Sequence, residues 1–262
     1  MYAENTKSLA LLLTPTSLIY ATLKDTEQEI NFQNVQVFRT EHTATKIAEK
    51  DIVEELKSNL VFRQSYHRIH LAFLTNQMQL IPNEFLDLPF EQLMQLPNEN
   101  TTSGEKKNYL DSPLDSLNAS IVYEISTTIK DALLEIESLR NVQLFHSGKL
   151  FLDHLHPSGE DEEMFLNLHQ QQLEIAVYKQ AQLQYYAVFP LQSIDDFLYF
   201  TLVVLTQLEL DYTHCSVYCF GEITASSDYY QQLKKQIRNV HLGLKDENYC
   251  ENFTLYNFCL LY

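Results

Sequence analysis

Two segments of the chain share an alternation of hydrophobic and polar residues that predicts a β-hairpin. Residues 11–24 read LLLTPTSLIYATLK and residues 166–179 read LNLHQQQLEIAVYK. In each segment a short polar stretch separates two runs with the two-residue period of a strand. At a fixed offset of 155, five positions are identical: Leu11 and Leu166, Leu13 and Leu168, Leu18 and Leu173, Ala21 and Ala176, Lys24 and Lys179.

The elements that follow each hairpin also come in one order. After the first hairpin we predict a strand at 30–40, a helix at 43–62 and a buried strand at 67–75. After the second we predict a strand at 181–190, a helix at 194–211 capped by Ser193, and a buried strand at 214–223. The buried strands start alike at an offset of 147, with His67 against His214 and Phe73 against Phe220. We therefore expect two homologous halves that clamp a ligand between them.

Additional segments lie between and after these units. Residues 82–96 have a helical pattern, 97–117 form a polar loop that we expect to be mobile, and 119–125, 127–140 and 141–145 read as strand, helix and strand. A helix is also predicted at 226–240. Pro157 and Gly159 suit a boundary. The resulting domains are 1–159, with an inserted subdomain at about 82–125 and the loop 97–117, and 160–262.

The charge of the chain argues against several partners. It carries 18 basic and 35 acidic side chains, a net charge of −17. Nucleic acids and anionic lipids are bound mainly by cations, so neither is an expected partner. The four cysteines, Cys215, Cys219, Cys250 and Cys259, form no CxxC pair and read as buried thiols in a reducing compartment. With no apolar stretch of membrane-spanning length, we expect a cytoplasmic protein.

The order of three antiparallel strands, a helix and a parallel strand, used twice, resembles the superfamily of actin, sugar kinases and chaperone ATPases. That resemblance implies a mixed α/β fold of the duplicated ribonuclease-H-like, actin-like ATPase type. More narrowly, the chain resembles a Bacteroidetes-type family of unknown function with this fold, distantly similar to pilus-assembly and cell-division actin homologues. The segments that carry this resemblance are LALLLTPTSLIYATLK (9–24), QLIPNEFLD (79–87), NASIVYEI (118–125) and Cys259.

The resemblance implies that ATP phosphates would lie between two hairpin turns, where small residues expose backbone N–H groups and an aspartate organises the metal. Here these turns contain neither glycine nor aspartate: they are Thr14, Pro15, Thr16 and Ser17, and His169, Gln170, Gln171 and Gln172. Of the glycine-rich turn that would hold adenosine, only Gly221 is present. We therefore expect ATP hydrolysis by the usual route to be lost and no cofactor to be required, while weak nucleotide binding stays open.

No other group of residues indicates catalysis or metal binding. His154 and His156 lie two apart near Asp153, on diverging faces of a helix end. Cys215 and Cys219 share a strand face but lie about 13 Å apart, too far for one metal. The leading hypothesis is a catalytically silent binding or scaffold protein with a protein partner. The alternative is a divergent ATP-dependent switch in which Asp195 or Asp196 holds the metal.

Overall fold

The computed structural model describes residues 6–25, 30–41, 45–94, 107–140, 142–159 and 162–243, with the single residues 254 and 257. The chain divides into two compact units between residues 149 and 150. The elements of the first unit, in chain order, are β1 (Thr6–Leu13), β2 (Ser17–Asp25), β3 (Ile30–Arg39), α1 (Thr45–Ser58), β4 (Arg68–Phe73), β5 (Met78–Pro82), α2 (Phe90–Leu93), β6 (Asn108–Leu114), β7 (Ala119–Ile125), α3 (Thr127–Glu135) and β8 (Gln143–His146). A further helix, α4 (Ser147–Asp153), crosses the division.

The first unit is built on a five-stranded sheet in the order β3-β2-β1-β4-β8. Strands β1, β2 and β3 pair antiparallel, whereas β4 runs parallel to β1 and β8 parallel to β4. Residues 9–13 of β1 are all buried, which is the continuous apolar run expected of a central strand. Helix α1 buries Ala48, Ile52 and Leu56 along one stripe, as its sequence period predicts.

A second, antiparallel sheet in the order β5-β7-β6 lies between β4 and β8 in the chain. Its presence makes two sequence predictions wrong. The described part of the helix predicted at 82–96, residues 82–94, contains a 3₁₀ turn at Asn83–Phe85 and the single turn α2, because Pro89 lacks an N–H and cannot continue a helix. Part of the predicted loop 97–117 is the strand β6, while residues 97–106 lie outside the described residues.

The second unit has the same plan. After α4, its elements are β9 (Glu162–His169), β10 (Gln172–Lys179), β11 (Gln182–Pro190), α5 (Ile194–Gln207), β12 (Ser216–Gly221), α6 (Asp228–Gln236) and β13 (Asn239–Leu242). Its sheet order is β11-β10-β9-β12-β13. The pair Leu13–Leu18 across β1 and β2 corresponds at offset 155 to the pair Leu168–Leu173 across β9 and β10. The two hairpins therefore share their register as well as their order.

The predicted residue correspondence between the two buried strands, at an offset of 147, is wrong by one residue. Leu71 of β4 pairs with Leu11, and Cys219 of β12 pairs with the matching Leu166. The offset between β4 and β12 is thus 148. Phe73 corresponds to Gly221 rather than to Phe220, and a shift of one residue moves a side chain to the other face of a sheet.

The predicted cap at Ser193 is confirmed. Its side chain accepts a hydrogen bond from Asp196 N, and the Asp196 side chain accepts one from the Ser193 backbone, which is a capping box for α5. The helix predicted at 226–240 is shorter, since Ile237 leaves the helical conformation and β13 follows. Among the described residues, no helix is both long and apolar enough to cross a membrane.

Candidate functional site

The turn between β1 and β2 is closed by its own hydrogen bonds. Thr14 N donates to Ser17 O at 2.9 Å, and Thr16 N donates to the Thr14 hydroxyl at 3.3 Å. The hydroxyl groups of Thr14 and Ser17 share a further hydrogen bond of 2.7 Å, and both side chains are buried. Because Pro15 has no N–H, only three backbone donors exist in this turn, and two of them are already used internally.

The turn between β9 and β10 is filled by side chains. Gln170 has a φ of 57°, in the left-handed region, and its side-chain amide donates to the Glu222 carboxylate. Gln171 O accepts a hydrogen bond from Leu191 N at 2.7 Å, which ties the turn to the end of β11. A carboxylate therefore lies against the turn in which the resemblance would place a phosphate. The negative charge of the Glu222 carboxylate would repel a phosphate placed in this turn.

Gly221, the residue assigned to a possible adenosine turn, is required by the packing of the sheet. Its φ is +76°, and a Cβ at this position would lie 2.1 Å from Leu168 O. The same carbonyl accepts a hydrogen bond from Glu222 N at 2.8 Å. Glycine at this position lets β12 end directly against β9, a structural reason that does not involve a nucleotide.

Beneath the second turn lies a set of buried polar side chains that the sequence analysis did not identify. They line one face of β9, β10 and β11, opposite the core that contains Leu168 and Leu173. We call this set the polar cluster; its members are Asn167, His169, Gln172, Glu174, Tyr186 and Thr254. In the first unit, the positions that match Asn167 and Glu174 in register are Leu12 and Ile19, so these two polar residues are specific to the second unit.

The hydrogen bonds of the polar cluster converge on a carboxylate. Glu174 is fully buried and accepts from Asn167 Nδ2 at 2.7 Å and from the Tyr186 hydroxyl at 2.8 Å. Thr254 Oγ1 lies 3.1 Å from Asn167 Nδ2 and 2.6 Å from His169 Nε2. These contacts fix Thr254 onto the sheet of the second unit.

Two acceptor atoms of the polar cluster lack a donor among the described residues. Within the described part of the chain, Asn167 Oδ1 and Gln172 Oε1 are buried without a hydrogen-bond partner. Burial lowers the pKa of His169 to about 4, so its imidazole is neutral at pH 7. A phosphate group offers only acceptors at neutral pH, whereas the cluster lacks cationic donors. Its chemistry is therefore unsuited to binding phosphate.

The remaining candidate residues have structural partners. His154 Nδ1 lies 2.8 Å from Leu150 O, whereas His156 is exposed, so the two histidines do not form a common site. Cys215 and Cys219 are buried in the core of the second unit as free thiols, as predicted. Burial raises the pKa of Cys215 to about 12, which keeps its thiol protonated. Cys250 and Cys259 lie outside the described residues.

The sequence contains a pattern that marks the polar cluster, but this pattern is also typical of an ordinary solvent-exposed strand face. Asn167 and Glu174 alternate with leucines and isoleucine along two strands, which normally indicates a solvent-exposed face. This face is buried instead, and Thr254, far along the chain, lies against it. Periodicity alone cannot reveal such long-range burial.

Comparisons with known proteins identify the fold. A family model described as "Protein of unknown function (DUF3822)" matches residues 2–240. A Bacteroides thetaiotaomicron protein described as having an actin-like ATPase fold and unknown function superimposes with a TM-score of 0.78, at 16% identity and over 100% of both chains. No curated protein matches the chain.

Two further solved structures are similar at lower TM-scores. The PilM–PilN type IV pilus biogenesis complex matches with a TM-score of 0.51, 12% identity and coverage of 98% of this chain and 97% of that chain. The ethanolamine utilization protein EutJ from Carboxydothermus hydrogenoformans matches with a TM-score of 0.51, 9% identity and coverage of 98% and 90%. The predicted actin-like ATPase fold and the resemblance to a Bacteroidetes-type family are thus confirmed.

Proposed function

Since this chain belongs to the DUF3822 family of proteins of unknown function and has the actin-like ATPase fold, we propose that it is a binding or scaffold protein that does not hydrolyse ATP. The observation that carries this proposal is the state of the two hairpin turns. One is closed by internal hydrogen bonds and the other is filled by a glutamine bound to a carboxylate.

The first turn has too few free donors to hold a polyphosphate. Phosphate-binding loops present several backbone N–H groups towards the anion. The N–H groups of Thr14 and Thr16 both have acceptors within the turn, and Pro15 contributes none. Freeing them would break hydrogen bonds between residues that are partly or fully buried, at a cost of about 1 kcal/mol or more each.

The second turn opposes a phosphate electrostatically. Glu222 brings a carboxylate to the turn, where it accepts a hydrogen bond from Gln170. A triphosphate would enter a region of like charge, which disfavours binding.

The alternative function is a divergent ATP-dependent conformational switch in which Asp195 or Asp196 holds the metal. Asp196 Oδ2 accepts from Gln192 N at 2.7 Å and from Ser193 N at 3.0 Å, so this carboxylate is used in the helix cap. A metal would have to use the other oxygen of Asp196, or Asp195, which is exposed at the start of the helix. This favours the catalytically silent protein over the switch.

Protein binding is the activity that we assign to the fold. The structure of PilM with PilN is described as a complex, so a protein of similar fold binds another protein. We propose the same kind of role here, in the cytoplasm, with two ribonuclease-H-like lobes at 1–159 and 160–262 and the insertion at about 82–125. The strongly acidic balance of 35 acidic to 18 basic side chains disfavours nucleic acid as the partner.

Thermal unfolding with ATP and Mg²⁺, together with a phosphate-release assay, tests this proposal. A nucleotide at about 100 times its Kd would stabilise the folded state by about 2.7 kcal/mol, which raises Tm by about 5 °C or more in a chain of this size. We expect no such rise and no phosphate release above the protein-free blank. An active actin-like ATPase in the same buffer is the control, and stabilisation accompanied by steady phosphate release would overturn the proposal.

A further inference from the structure

An open groove with a volume of about 450 Å³ runs beside α1 in the first unit. Its lining includes Lys50, Val53, Glu54 and Lys57 from α1, and Arg63 from the 3₁₀ helix Leu60–Arg63 that follows. The positions 50, 53/54 and 57 recur at helical spacing, so they share one face of α1. This face is separate from the stripe that α1 buries against the sheet.

The groove lies beside a fixed pair of helices. Ser126, the N-cap of α3, donates from its hydroxyl to Glu49 at 3.1 Å near the start of α1. At the other end, Lys57 Nζ lies 2.5 Å from the carboxylate of Glu135. Contacts at both matching ends mean that α1 and α3 run side by side in the same direction, which gives the groove a rigid wall.

Cations outnumber carboxylates in this groove although the chain has a net charge of −17. Three cations line it, Lys50, Lys57 and Arg63, against the carboxylate of Glu54 and that of Glu135, which pairs with Lys57. An ammonium has three N–H donors, so Lys57 can donate to a second carboxylate as well. Lys50 forms no ion pair with any described residue. Arg63 uses one guanidinium nitrogen to donate to Lys57 O, so most of its five N–H groups are available. A negatively charged ligand would therefore find unused donors.

The spacing of the cations favours a polypeptide over a small anion. Lys50 and Lys57 lie two helical turns apart, about 10 Å along the axis, which one phosphate group cannot bridge. Two acidic side chains seven residues apart on a helix have the same spacing. Val53 lies between the two lysines and can contact an apolar side chain between the two acids.

Exposed apolar residues lie next to the groove at both of its ends. Ile47 is 45% exposed and precedes Lys50 by one turn of α1, on the same face. Leu60 is 70% exposed and stands three residues before Arg63 in a 3₁₀ helix, where such residues are aligned. An amphipathic helix could bury these side chains as well as satisfy the cations.

We propose that this groove, which we call the basic groove, binds an acidic amphipathic helix of a partner protein. The helix presents acidic side chains seven residues apart to Lys50 and Lys57, and apolar side chains between them to Val53. This proposal specifies the partner class for the protein-binding role and rests on it, but it does not depend on the state of the hairpin turns. The two can therefore fail separately.

Fluorescence anisotropy with a designed peptide tests the basic groove. The probe is a labelled alanine-based peptide of about 18 residues, long enough to be helical, with glutamates seven positions apart and leucines between them. We expect saturable binding to the full chain, and binding at least about tenfold weaker to the variant Lys50→Glu/Lys57→Glu/Arg63→Glu. A peptide with glutamine in place of glutamate should bind the unmodified chain about as weakly as the glutamate peptide binds the triple variant.

The control carries the same change of charge elsewhere. Lys234, Lys235 and Arg238 are exposed on the second unit, and their reversal to glutamate should change peptide affinity less than about twofold. Lys50→Gln removes one cation that has no ion pair to lose, so it should fold normally and still weaken binding severalfold.

Equal binding by the two triple variants, or no binding by the unmodified chain, would overturn the proposal. So would displacement of the peptide by single-stranded DNA at equal charge concentration, because the groove would then recognise polyanions in general. Phosphate release in the ATP assay would overturn the proposed function and leave the peptide result unaffected.

Discussion

Gly221 lies where the resemblance implies an adenosine-binding turn, but a steric reason alone explains why this residue is glycine. Its φ is left-handed, and a Cβ would lie only 2.1 Å from Leu168 O, which leaves no room for any other residue. Gly159 has a similar φ of +80°, but the nearest atom to its Cβ position is Ala181 Cβ at an ordinary 3.7 Å. A side chain at Gly159 would therefore meet only backbone strain, whereas one at Gly221 would meet backbone strain and steric overlap.

We predict that Gly221→Ala destabilises the protein more than Gly159→Ala does. The left-handed φ alone costs about 1 kcal/mol, which is the loss expected for Gly159→Ala. At Gly221 the overlap with a backbone carbonyl adds a further 1–3 kcal/mol or so. Urea unfolding of both variants gives the two differences in free energy. Equal losses would show that the contact with Leu168 O does not constrain this position.

Two buried histidines make the fold sensitive to acid. His146 accepts from Gly148 N at Nδ1 and lies 3.0 Å from Thr75 O at Nε2, so it is held as the neutral Nε2–H tautomer. Burial lowers the pKa of His146, and likewise of His169, to about 4. Each unfolded histidine takes up a proton near its ordinary pKa of about 6.5, whereas the folded one does not.

The free energy of unfolding should therefore be highest above pH 6.5 and fall as the pH decreases towards 4. The unfolded state binds more protons in this interval, and each histidine contributes a loss on the order of 3 kcal/mol. Urea unfolding at several pH values measures the slope. His146→Gln and His169→Gln should each reduce it, even if they lower the stability at pH 7. A slope that neither substitution changes would contradict this explanation.

At the scale of the elements, the cap of α5 is the clearest case in which the sequence specifies a boundary. Ser193→Ala removes the acceptor for Asp196 N and should destabilise the protein by about 1 kcal/mol. Ser193→Gly should cost only a few tenths of a kcal/mol, because glycine is tolerated at an N-cap. Thermal or urea unfolding distinguishes the two. A larger loss for glycine than for alanine would mean that the backbone, and not the cap, determines stability here.

The elements that were predicted well are those with strong periodicity. The hairpins, α1, α5 and the central strands have long apolar patterns that tertiary packing reinforces. Two of the errors occur at prolines in the inserted segment that contains the β5-β7-β6 sheet. Pro89 interrupts an apparently helical pattern, and Pro113 is accepted in β6 because this strand is at the edge of its sheet. Local pattern alone does not report whether a strand is at an edge.

The one-residue error in the offset between β4 and β12 also arises because local sequence does not report how strands pair. Matching His67 with His214 and Phe73 with Phe220 aligns side-chain types, but the register aligns Phe73 with Gly221. A chance identity of residue type is weaker evidence than hydrogen-bonded pairing. Only the structure supplies that pairing.

At the scale of the whole molecule, the repeated order of elements predicted the fold, whereas the loss of phosphate binding that the composition of the two turns indicates stays a prediction. The polar cluster and the basic groove were not predicted. Both depend on residues distant in sequence: Thr254 covers Asn167, and Glu135 of α3 pairs with Lys57 of α1. Net charge was also a poor guide to local charge, because a chain with a net charge of −17 contains a groove lined by three cations.

Isothermal titration calorimetry of the full chain with ATP and Mg²⁺ tests the central claim most directly, because it measures nucleotide binding whether or not hydrolysis follows. Closed or filled hairpin turns predict no saturable heat of binding. One-site binding with a Kd tighter than roughly 100 μM, equivalent to about −5.5 kcal/mol, would show that a nucleotide site is present and would contradict the account.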